Sequence, residues 1–127
     1  MSKLVLDSSA LLAFLHREPG AEVVAEALGR AVISAVNLAE VATKLTERGA
    51  SLSHIRRLVS ALNVGVIDFD NVLSYRVAAL RASTKEAGLS LGDRACLATA
   101  QSLGAAALTT DRSWTQVDAG VEIQVIR

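Results

Sequence analysis

Aromatic residues are scarce in this sequence: they make up 3% of it, whereas all hydrophobic residues together make up 51%. The core must therefore be built from Leu, Val, Ile and Ala. The same scarcity excludes a broad aromatic platform on which nucleic-acid bases could stack. We expect Trp114 to anchor the segment that follows the fourth predicted strand rather than to stack on a base.

Cysteine and long apolar runs are also lacking. Cys96 is the single cysteine, so no intramolecular disulfide can form, which suits a reducing compartment. We expect it to be a small buried hydrophobic residue on a helix. No run approaches the roughly 20 apolar residues of a membrane span, and the first residues lack the pattern of a signal peptide. The sequence therefore predicts a soluble, cytoplasmic protein without a membrane partner.

The chain has no excess of charge of either sign, with 13 basic and 13 acidic residues. A protein that simply coats nucleic acid usually has a strong basic excess, so that class is disfavoured. A nuclease with an acidic site remains compatible, because bound metal ions supply positive charge that the sequence does not show. The mean hydropathy of +0.38 is high for a short soluble chain and points to apolar surface that a partner covers.

Short apolar runs alternate with longer segments of helical periodicity. The predicted strands are residues 3–6, 31–34, 64–69, 105–109 and 121–126. The predicted helices are residues 8–15, 21–28, 37–48, 53–62, 72–87 and 92–103. This alternation predicts an α/β sandwich around a mainly parallel sheet. No repeat, linker or change of composition divides the chain, so we expect a single domain over residues 1–127.

Four carboxylates fall near the ends of predicted strands. Asp7 directly follows the first strand, and Asp111 follows the fourth. Glu40 lies near the start of the helix after the second strand, and Asp93 lies at the start of the helix that leads into the fourth. Ligands of open parallel sheets bind at the carboxyl ends of the strands. Asp7, Glu40 and Asp111 can reach that edge directly, whereas Asp93 can do so only if its helix begins there.

Each of these carboxylates has a local alternative role as a helix cap. Asp7 can cap the helix over residues 8–15, and Asp111 can cap a short turn after the fourth strand. Residues 37–40 and 90–93 each have the pattern of a capping box. Caps of this kind are common and contribute about 1 kcal/mol each. A functional site requires instead that all four side chains converge.

A convergent cluster of this composition would bind a hard cation. Crowded carboxylates repel each other unless a cation lies among them. All four candidates offer oxygen, neither His16 nor His54 has a metal-type spacing, and there is no second cysteine. These donors favour Mg²⁺ or Mn²⁺ over zinc. Two such ions roughly 3.5–4 Å apart can activate water and stabilise the leaving oxygen in phosphodiester hydrolysis.

Five stretches of the sequence carry a resemblance to a known family. They are LVLDSSALLAFL at residues 4–15, ISAVNLAEV at 33–41, GLSLGDRACLATA at 88–100, ALTTDRSW at 107–114 and GVEIQVIR at 120–127. In this order they resemble the PIN domain family and, within it, the VapC-type toxins of bacterial toxin–antitoxin pairs. The resemblance covers essentially the whole chain, and its most specific stretch is the one around Asp93.

The resemblance implies a PIN-like three-layer α/β sandwich, with a central sheet of four to five strands flanked by helices. It also implies an endoribonuclease that depends on Mg²⁺ or Mn²⁺. The residues that match the family's acidic set, and thus its catalytic and metal-binding positions, are Asp7, Glu40, Asp93 and Asp111. Ser9 and Thr109 match polar residues beside that set. At Ser113 many relatives carry a further acidic residue, so this chain departs from the family pattern there.

The partners that the resemblance implies are an RNA substrate, a second copy of the chain in a homodimer, and a small VapB-like antitoxin. Such antitoxins commonly insert an arginine into the acidic site, and a carboxylate pocket would attract a guanidinium. Apolar helices within residues 8–28 and 37–62 are candidates for the antitoxin contact. Arg94 and Arg112 each directly follow a proposed ligand and are candidates for RNA contact. Their alternative role is ordinary solvated surface.

Two other functions remain open on the sequence alone. One is a housekeeping PIN nuclease that processes RNA without an antitoxin, using the same chemistry. The other is a non-catalytic domain, either a binding domain or a receiver-like phosphoacceptor. Receiver domains usually need paired acids after the first strand and a lysine after a late strand. Here serines follow Asp7, and the fourth predicted strand ends in Thr109, so the receiver pattern is not met.

Overall fold

Five short parallel strands form the centre of the structure, a computed structural model that describes residues 2–127. The strands are β1 (Leu4–Leu6), β2 (Ala31–Ser34), β3 (Gly65–Ile67), β4 (Ala106–Thr109) and β5 (Ile123–Val125). They lie in the order β3-β2-β1-β4-β5, and every neighbouring pair is parallel. All five carboxyl ends therefore meet at one edge of the sheet.

Helices connect the strands and cover both faces of the sheet. Within residues 2–127 they are α1 (Ser8–Leu15), α2 (Ala21–Ala27), α3 (Ala35–Glu47), α4 (Leu52–Leu62), α5 (Asn71–Ala79), α6 (Arg81–Thr84) and α7 (Leu91–Leu103). Short 3₁₀ helices add Leu28–Arg30 and Arg112–Gln116. Parallel strands need such crossover connections. The predicted fold, an α/β sandwich with a parallel sheet of four to five strands, is confirmed.

The core consists of two aliphatic layers, one on each face of the sheet. Val5 of β1 points into the layer formed with α5 and α7. Leu4 and Leu6, its neighbours in β1, point into the opposite layer with α1 and α2. This alternation follows from the two-residue period of a strand. It also explains why the first, second and fourth predicted strands are almost wholly apolar: β1, β2 and β4 are buried on both faces.

The helix predicted over residues 72–87 is in fact two helices, α5 and α6, which meet at Leu80. The Leu80 carbonyl oxygen accepts hydrogen bonds from the hydroxyls of Ser83, at 3.3 Å, and Thr84, at 2.7 Å. Side-chain hydroxyls compete with backbone amides for such carbonyls, so they disturb a regular helix. The prediction of one continuous helix was wrong, whereas the other predicted helices are observed with small shifts at their ends.

In the part of the chain that the structure describes, no helix is both long and apolar enough to span a lipid bilayer.

Candidate active site

Polar residues follow the carboxyl ends of the three central strands. Asp7 comes directly after β1, and its backbone N–H donates to the Leu108 carbonyl of β4 at 2.9 Å. Thr109 ends β4, and Ser34 ends β2 at the start of the helix that carries Glu40. Strand pairing therefore brings these side chains to one edge of the sheet, as expected for a ligand site in a parallel α/β fold.

Asp7 is the most deeply buried of the four predicted carboxylates, with 3% of its surface exposed. Its Oδ2 accepts hydrogen bonds from Ser9 Oγ at 2.7 Å and Thr109 Oγ1 at 3.0 Å. Its Oδ1 is buried and has no hydrogen-bond partner within residues 2–127. Although Asp7 occupies the N-cap position of α1, its side chain makes no capping hydrogen bond. The cap alternative is therefore wrong for Asp7.

The surroundings of Asp7 disfavour its charged form. The pKa of Asp7 is raised from its ordinary 3.8 to about 6, and burial is the largest cause. The negative charges of Asp93 and Glu40 also raise the pKa, whereas the hydrogen bonds from Ser9 and Thr109 lower it. Asp7 therefore lies within electrostatic range of two of the other predicted site residues.

Asp93 lies at the third position of α7, where it takes part in a capping box. Its backbone N–H donates to Ser90 Oγ at 3.1 Å, and its Oδ2 accepts from the Ser90 backbone N–H at 2.9 Å. Burial raises the pKa of Asp93, its hydrogen bonds with Ser90 lower it, and the charges of Asp111 and Glu40 raise it. The cap alternative thus holds for Asp93, but the residue also shares the field of the other carboxylates. The condition that α7 begins at this edge is met.

Glu40 is half-buried on α3, and the predicted capping box over residues 37–40 is wrong. The helix begins earlier, at Ala35, because Ser34 Oγ accepts the Val36 backbone N–H at 3.2 Å. Asn37 therefore lies inside the helix, where its Nδ2 donates to Glu40 Oε1 at 2.9 Å.

Asn37 is a residue that sequence reasoning assigned only to a cap. It is fully buried, and its Nδ2 also donates to the Gly92 carbonyl of α7 at 2.9 Å. The available signal was the spacing: an amide three residues before an acid on one helix can contact it. The contact with Gly92 had no local signal.

Asp111 caps the short helix Arg112–Gln116. Its Oδ1 accepts from both the backbone N–H and the hydroxyl of Ser113, at 2.9 and 2.8 Å. Its own backbone N–H donates to Thr109 Oγ1 at 3.1 Å, and this links Asp111 to the hydroxyl that contacts Asp7. Ser113, where the sequence departs from the pattern of the family it resembles, thus holds the Asp111 carboxylate.

The four carboxylates share one region without forming a closed chelating cage. Among residues 2–127, no three His, Cys, Asp or Glu side chains stand close enough together to hold one ion as positioned. The carboxylates are nevertheless close enough to affect one another. The charges of Asp93 and Glu40 raise the pKa of Asp7, and the charge of Asp111 raises the pKa of Asp93. Repulsion among like charges favours side-chain positions that keep them apart.

The two predicted RNA-contacting arginines bond to backbone carbonyls. Arg94 Nη1 donates to the Val77 carbonyl of α5 at 3.0 Å, and its Nε is buried. Arg112 Nε donates to the Arg127 carbonyl at 3.2 Å. Trp114 is fully buried in the core layer with α7, so it does anchor the segment after β4. Cys96 is also fully buried there, as predicted, and burial raises its pKa well above the ordinary value.

The chemistry of this site fits a hard divalent cation. A buried acceptor without a partner is costly, and Asp7 Oδ1 is such an atom. Its neighbours in the electrostatic cluster are carboxylates, which are the ligands that Mg²⁺ and Mn²⁺ prefer. A cation here would offset the repulsion among them.

Comparison with known proteins gives both a family and a set of similar structures. A comparison with curated proteins found no match. Among solved structures, the chain is similar to a toxin–antitoxin complex from Klebsiella pneumoniae, with a TM-score of 0.76, 21% identity and 98% of each chain covered. It is similar to DNA-bound VapBC from Salmonella typhimurium, with a TM-score of 0.73, 20% identity and 98% of each chain covered.

A third similar structure is VapBC-1 from nontypeable Haemophilus influenzae, with a TM-score of 0.71 and 19% identity. Here the match covers 95% of this chain and 96% of the other. At these identities the neighbours establish the fold. The model of the PIN domain matches residues 4–120. That match runs from β1 to the turn before β5, and this chain therefore belongs to the PIN domain family.

Proposed function

We propose that this chain is a Mg²⁺- or Mn²⁺-dependent endoribonuclease and the VapC-type toxin of a type II toxin–antitoxin pair. Its reaction is the hydrolysis of RNA phosphodiester bonds by activated water. Membership of the PIN family supports a nuclease, and the acidic edge of the sheet supports the dependence on a divalent metal. The all-oxygen donor set supports Mg²⁺ or Mn²⁺ rather than zinc.

The observation that carries this proposal is the state of Asp7. Its carboxylate is buried, one oxygen has no hydrogen-bond partner in the described chain, and two other carboxylates raise its pKa. A carboxyl group kept for structure alone would bond through both oxygens or would be exposed. Within residues 2–127 no basic side chain forms a salt bridge with Asp7, and a bound cation would balance its charge.

The residues of the site would have different roles. Asp7, Glu40, Asp93 and Asp111 would hold the metal, which supplies charge to activate water and to stabilise the phosphate in the transition state. Ser9 and Thr109 hold Oδ2 of Asp7, which leaves Oδ1 available. Ser113 holds Oδ1 of Asp111 through its backbone N–H and its hydroxyl.

Two further features support a toxin with a protein partner. The similar structures from Klebsiella pneumoniae and Salmonella typhimurium are toxin–antitoxin complexes. In addition, an apolar groove of about 590 Å³ lies between α3, α4 and the edge strand β3. Leu52 is 66% exposed and Val66 is 43% exposed in its lining. We propose that a small VapB-like antitoxin covers this surface and inserts an arginine into the acidic site.

The remaining parts of the proposal concern the substrate and the assembly. Arg94 and Arg112 are proposed to contact RNA. The Arg94 guanidinium would then bind RNA while it also donates to the Val77 carbonyl of α5. A homodimer and a cytoplasmic location complete the proposal.

Mapping of RNA 5′ ends tests the activity and identifies the substrate together. Wild type, Asp7→Asn and the exposed-site control Asp118→Asn are each expressed briefly in cells, and new 5′ ends are sequenced. We expect a defined set of cuts with wild type and Asp118→Asn, and none with Asp7→Asn. The same cuts should appear in purified RNA with Mn²⁺ and disappear in excess chelator. Cleavage that persists in chelator would contradict the proposed mechanism.

The toxin role is tested separately by co-expression with the product of any small gene found next to the gene of this chain. We expect a tight complex in which cleavage is blocked. If no neighbouring gene product binds and the purified enzyme cleaves RNA, the chain is a housekeeping PIN nuclease instead.

A further inference from the structure

One buried amide joins the helix that carries Glu40 to the helix that carries Asp93. Asn37 Nδ2 donates to Glu40 Oε1 and to the Gly92 carbonyl, each at 2.9 Å. Gly92 directly precedes Asp93 in the first turn of α7. Asn37 and Gly92 lie 55 residues apart in the sequence, so this contact is made by tertiary packing alone.

The orientation of the Asn37 amide is determined by its neighbours. Both groups that face its nitrogen are acceptors, a carboxylate and a carbonyl. A flipped amide would place Oδ1 against two oxygens, and both hydrogen bonds would be lost. In the observed orientation Oδ1 is buried without a partner in the described chain. The side chain therefore keeps two donors engaged although its acceptor is left unsatisfied.

Gly92 allows the Glu40 carboxylate to lie directly against the backbone of α7. A Cβ atom at position 92 would come within 2.6 Å of Glu40 Oε1 and 2.7 Å of its Cδ. Real Cβ atoms essentially never approach other atoms so closely, so any larger residue must displace the carboxylate. The group in the way is the far end of a flexible side chain, so a larger residue is expected to shift the Glu40 carboxylate rather than to disrupt the fold.

We propose that Asn37 is a positioning residue that holds the Glu40 carboxylate against Gly92 and so fixes its separation from Asp93. This inference rests on the proposed function, because it assigns Glu40 and Asp93 to the same cation. Asn37 would not bind the metal itself; it would act through Glu40, to which its Nδ2 donates. Gly92 has no side chain, so the Glu40 carboxylate can lie directly against the backbone of α7.

Titration calorimetry with Mn²⁺ tests this role without measuring cleavage. The variants are Asn37→Ala, which releases the carboxylate, and Gly92→Ala, which displaces it. We expect each to weaken Mn²⁺ binding by about 10- to 100-fold, as loss of groups that orient metal ligands typically does. The control is Thr84→Val, which removes a buried hydroxyl whose hydrogen bonds within residues 2–127 are to the nearby Leu80 and Arg81 carbonyls. It should lower the Tm and leave Mn²⁺ affinity unchanged.

A double-mutant cycle on the Tm covers the case in which Asn37→Ala does not fold. Ala favours a helix more than Gly does, but the overlap with Glu40 should offset that gain, so Gly92→Ala should change the Tm less favourably in the wild-type background than in a Glu40→Ala background. In a Glu40→Ala background the overlap is gone, and Gly92→Ala should leave the Tm unchanged or raise it. An equal effect in both backgrounds would show that the two residues do not interact, and the inference would fall.

The outcomes separate this inference from the function on which it rests. If wild type binds no Mn²⁺, the proposed metal site fails, and the positioning role fails with it. If wild type binds Mn²⁺, Glu40→Gln binds it weakly, and folded Asn37→Ala and Gly92→Ala bind it as wild type does, only the positioning role is overturned. Recovery of cleavage by Asn37→Ala at raised Mn²⁺ concentration would further support positioning over a merely structural role.

Discussion

At the scale of single residues, Asp7 combines two properties that oppose folding stability at neutral pH. It is buried, and its charge lies near those of Asp93 and Glu40. The hydrogen bonds from Ser9 and Thr109 offset only part of this cost, since the pKa stays raised at about 6. A site that tolerates such a group is typical of function rather than of stability.

This raised pKa predicts how stability depends on pH. The folded protein binds a proton at Asp7 more tightly than the unfolded chain, because the folded pKa of about 6 exceeds the ordinary 3.8. The contribution of Asp7 to the free energy of unfolding is therefore most favourable below about pH 4 and falls as pH rises to about 6. The expected loss is on the order of 3 kcal/mol. The measurement is urea unfolding in chelator between about pH 4 and about pH 8.

The comparison with Asp7→Asn isolates this effect from all other titrating groups. The variant should be more stable than wild type at pH 7, and the difference should shrink towards about pH 4. Asp118→Asn, at an exposed position, serves as the control and should follow wild type throughout. A constant difference between Asp7→Asn and wild type across the range would contradict the buried, uncompensated charge.

At the scale of secondary-structure elements, α7 places Asp93 through its own N-terminus. The Ser90 hydroxyl and the Asp93 carboxylate cap each other's backbone N–H groups. Asp93 therefore has both a local role in starting the helix and a proposed role as ligand. Two substitutions at the same cap can separate these roles.

Ser90→Ala removes the capping hydroxyl and leaves the Asp93 carboxylate in place. We expect it to lower the free energy of unfolding by about 1 kcal/mol, with cleavage rates within a few-fold of wild type. Asp93→Asn keeps the size of the side chain, yet should reduce cleavage by at least about 100-fold because a proposed ligand loses its charge. Thermal unfolding and RNA cleavage, measured on both variants, check this. Equal activity loss in both would mean that Asp93 acts only as a cap.

The elements also show where local patterns are informative. The sequence predicted α1 at its observed bounds because apolar periodicity and flanking residues mark it locally. The interruption at Leu80 was not predicted, because hydrogen bonds from side-chain hydroxyls to a backbone carbonyl leave no clear mark in the apolar periodicity. The start of α3 was also misplaced, because Ser34 at the end of β2 was not recognised as its cap.

At the scale of the whole molecule, a divalent cation should act as a ligand of the folded state. The carboxylates come from segments between residue 7 and residue 111 and converge only after folding. Unfolded chain therefore lacks the site, and binding must stabilise the native state by mass action.

The corresponding prediction is a rise in Tm with Mn²⁺ at pH 7.5. At about 100 times the Kd, stabilisation reaches about 2.7 kcal/mol, which corresponds to a shift of several degrees for a chain of this size. Differential scanning calorimetry should show this shift in wild type, its reversal by excess chelator, and its absence in Asp7→Asn. An equal shift in Asp7→Asn would place the cation elsewhere.

The sequence by itself determined the alternation of strands and helices, the aliphatic core and the positions of Asp7 and Thr109 at strand ends. Each of these follows from local periodicity and from which residues a strand can bury. Only the tertiary structure decided that Asp7 Oδ1 lacks a partner and that Asn37 bridges Glu40 and Gly92. Those contacts join segments far apart in the chain, and their distances depend on how helices pack across the sheet, which local patterns do not encode.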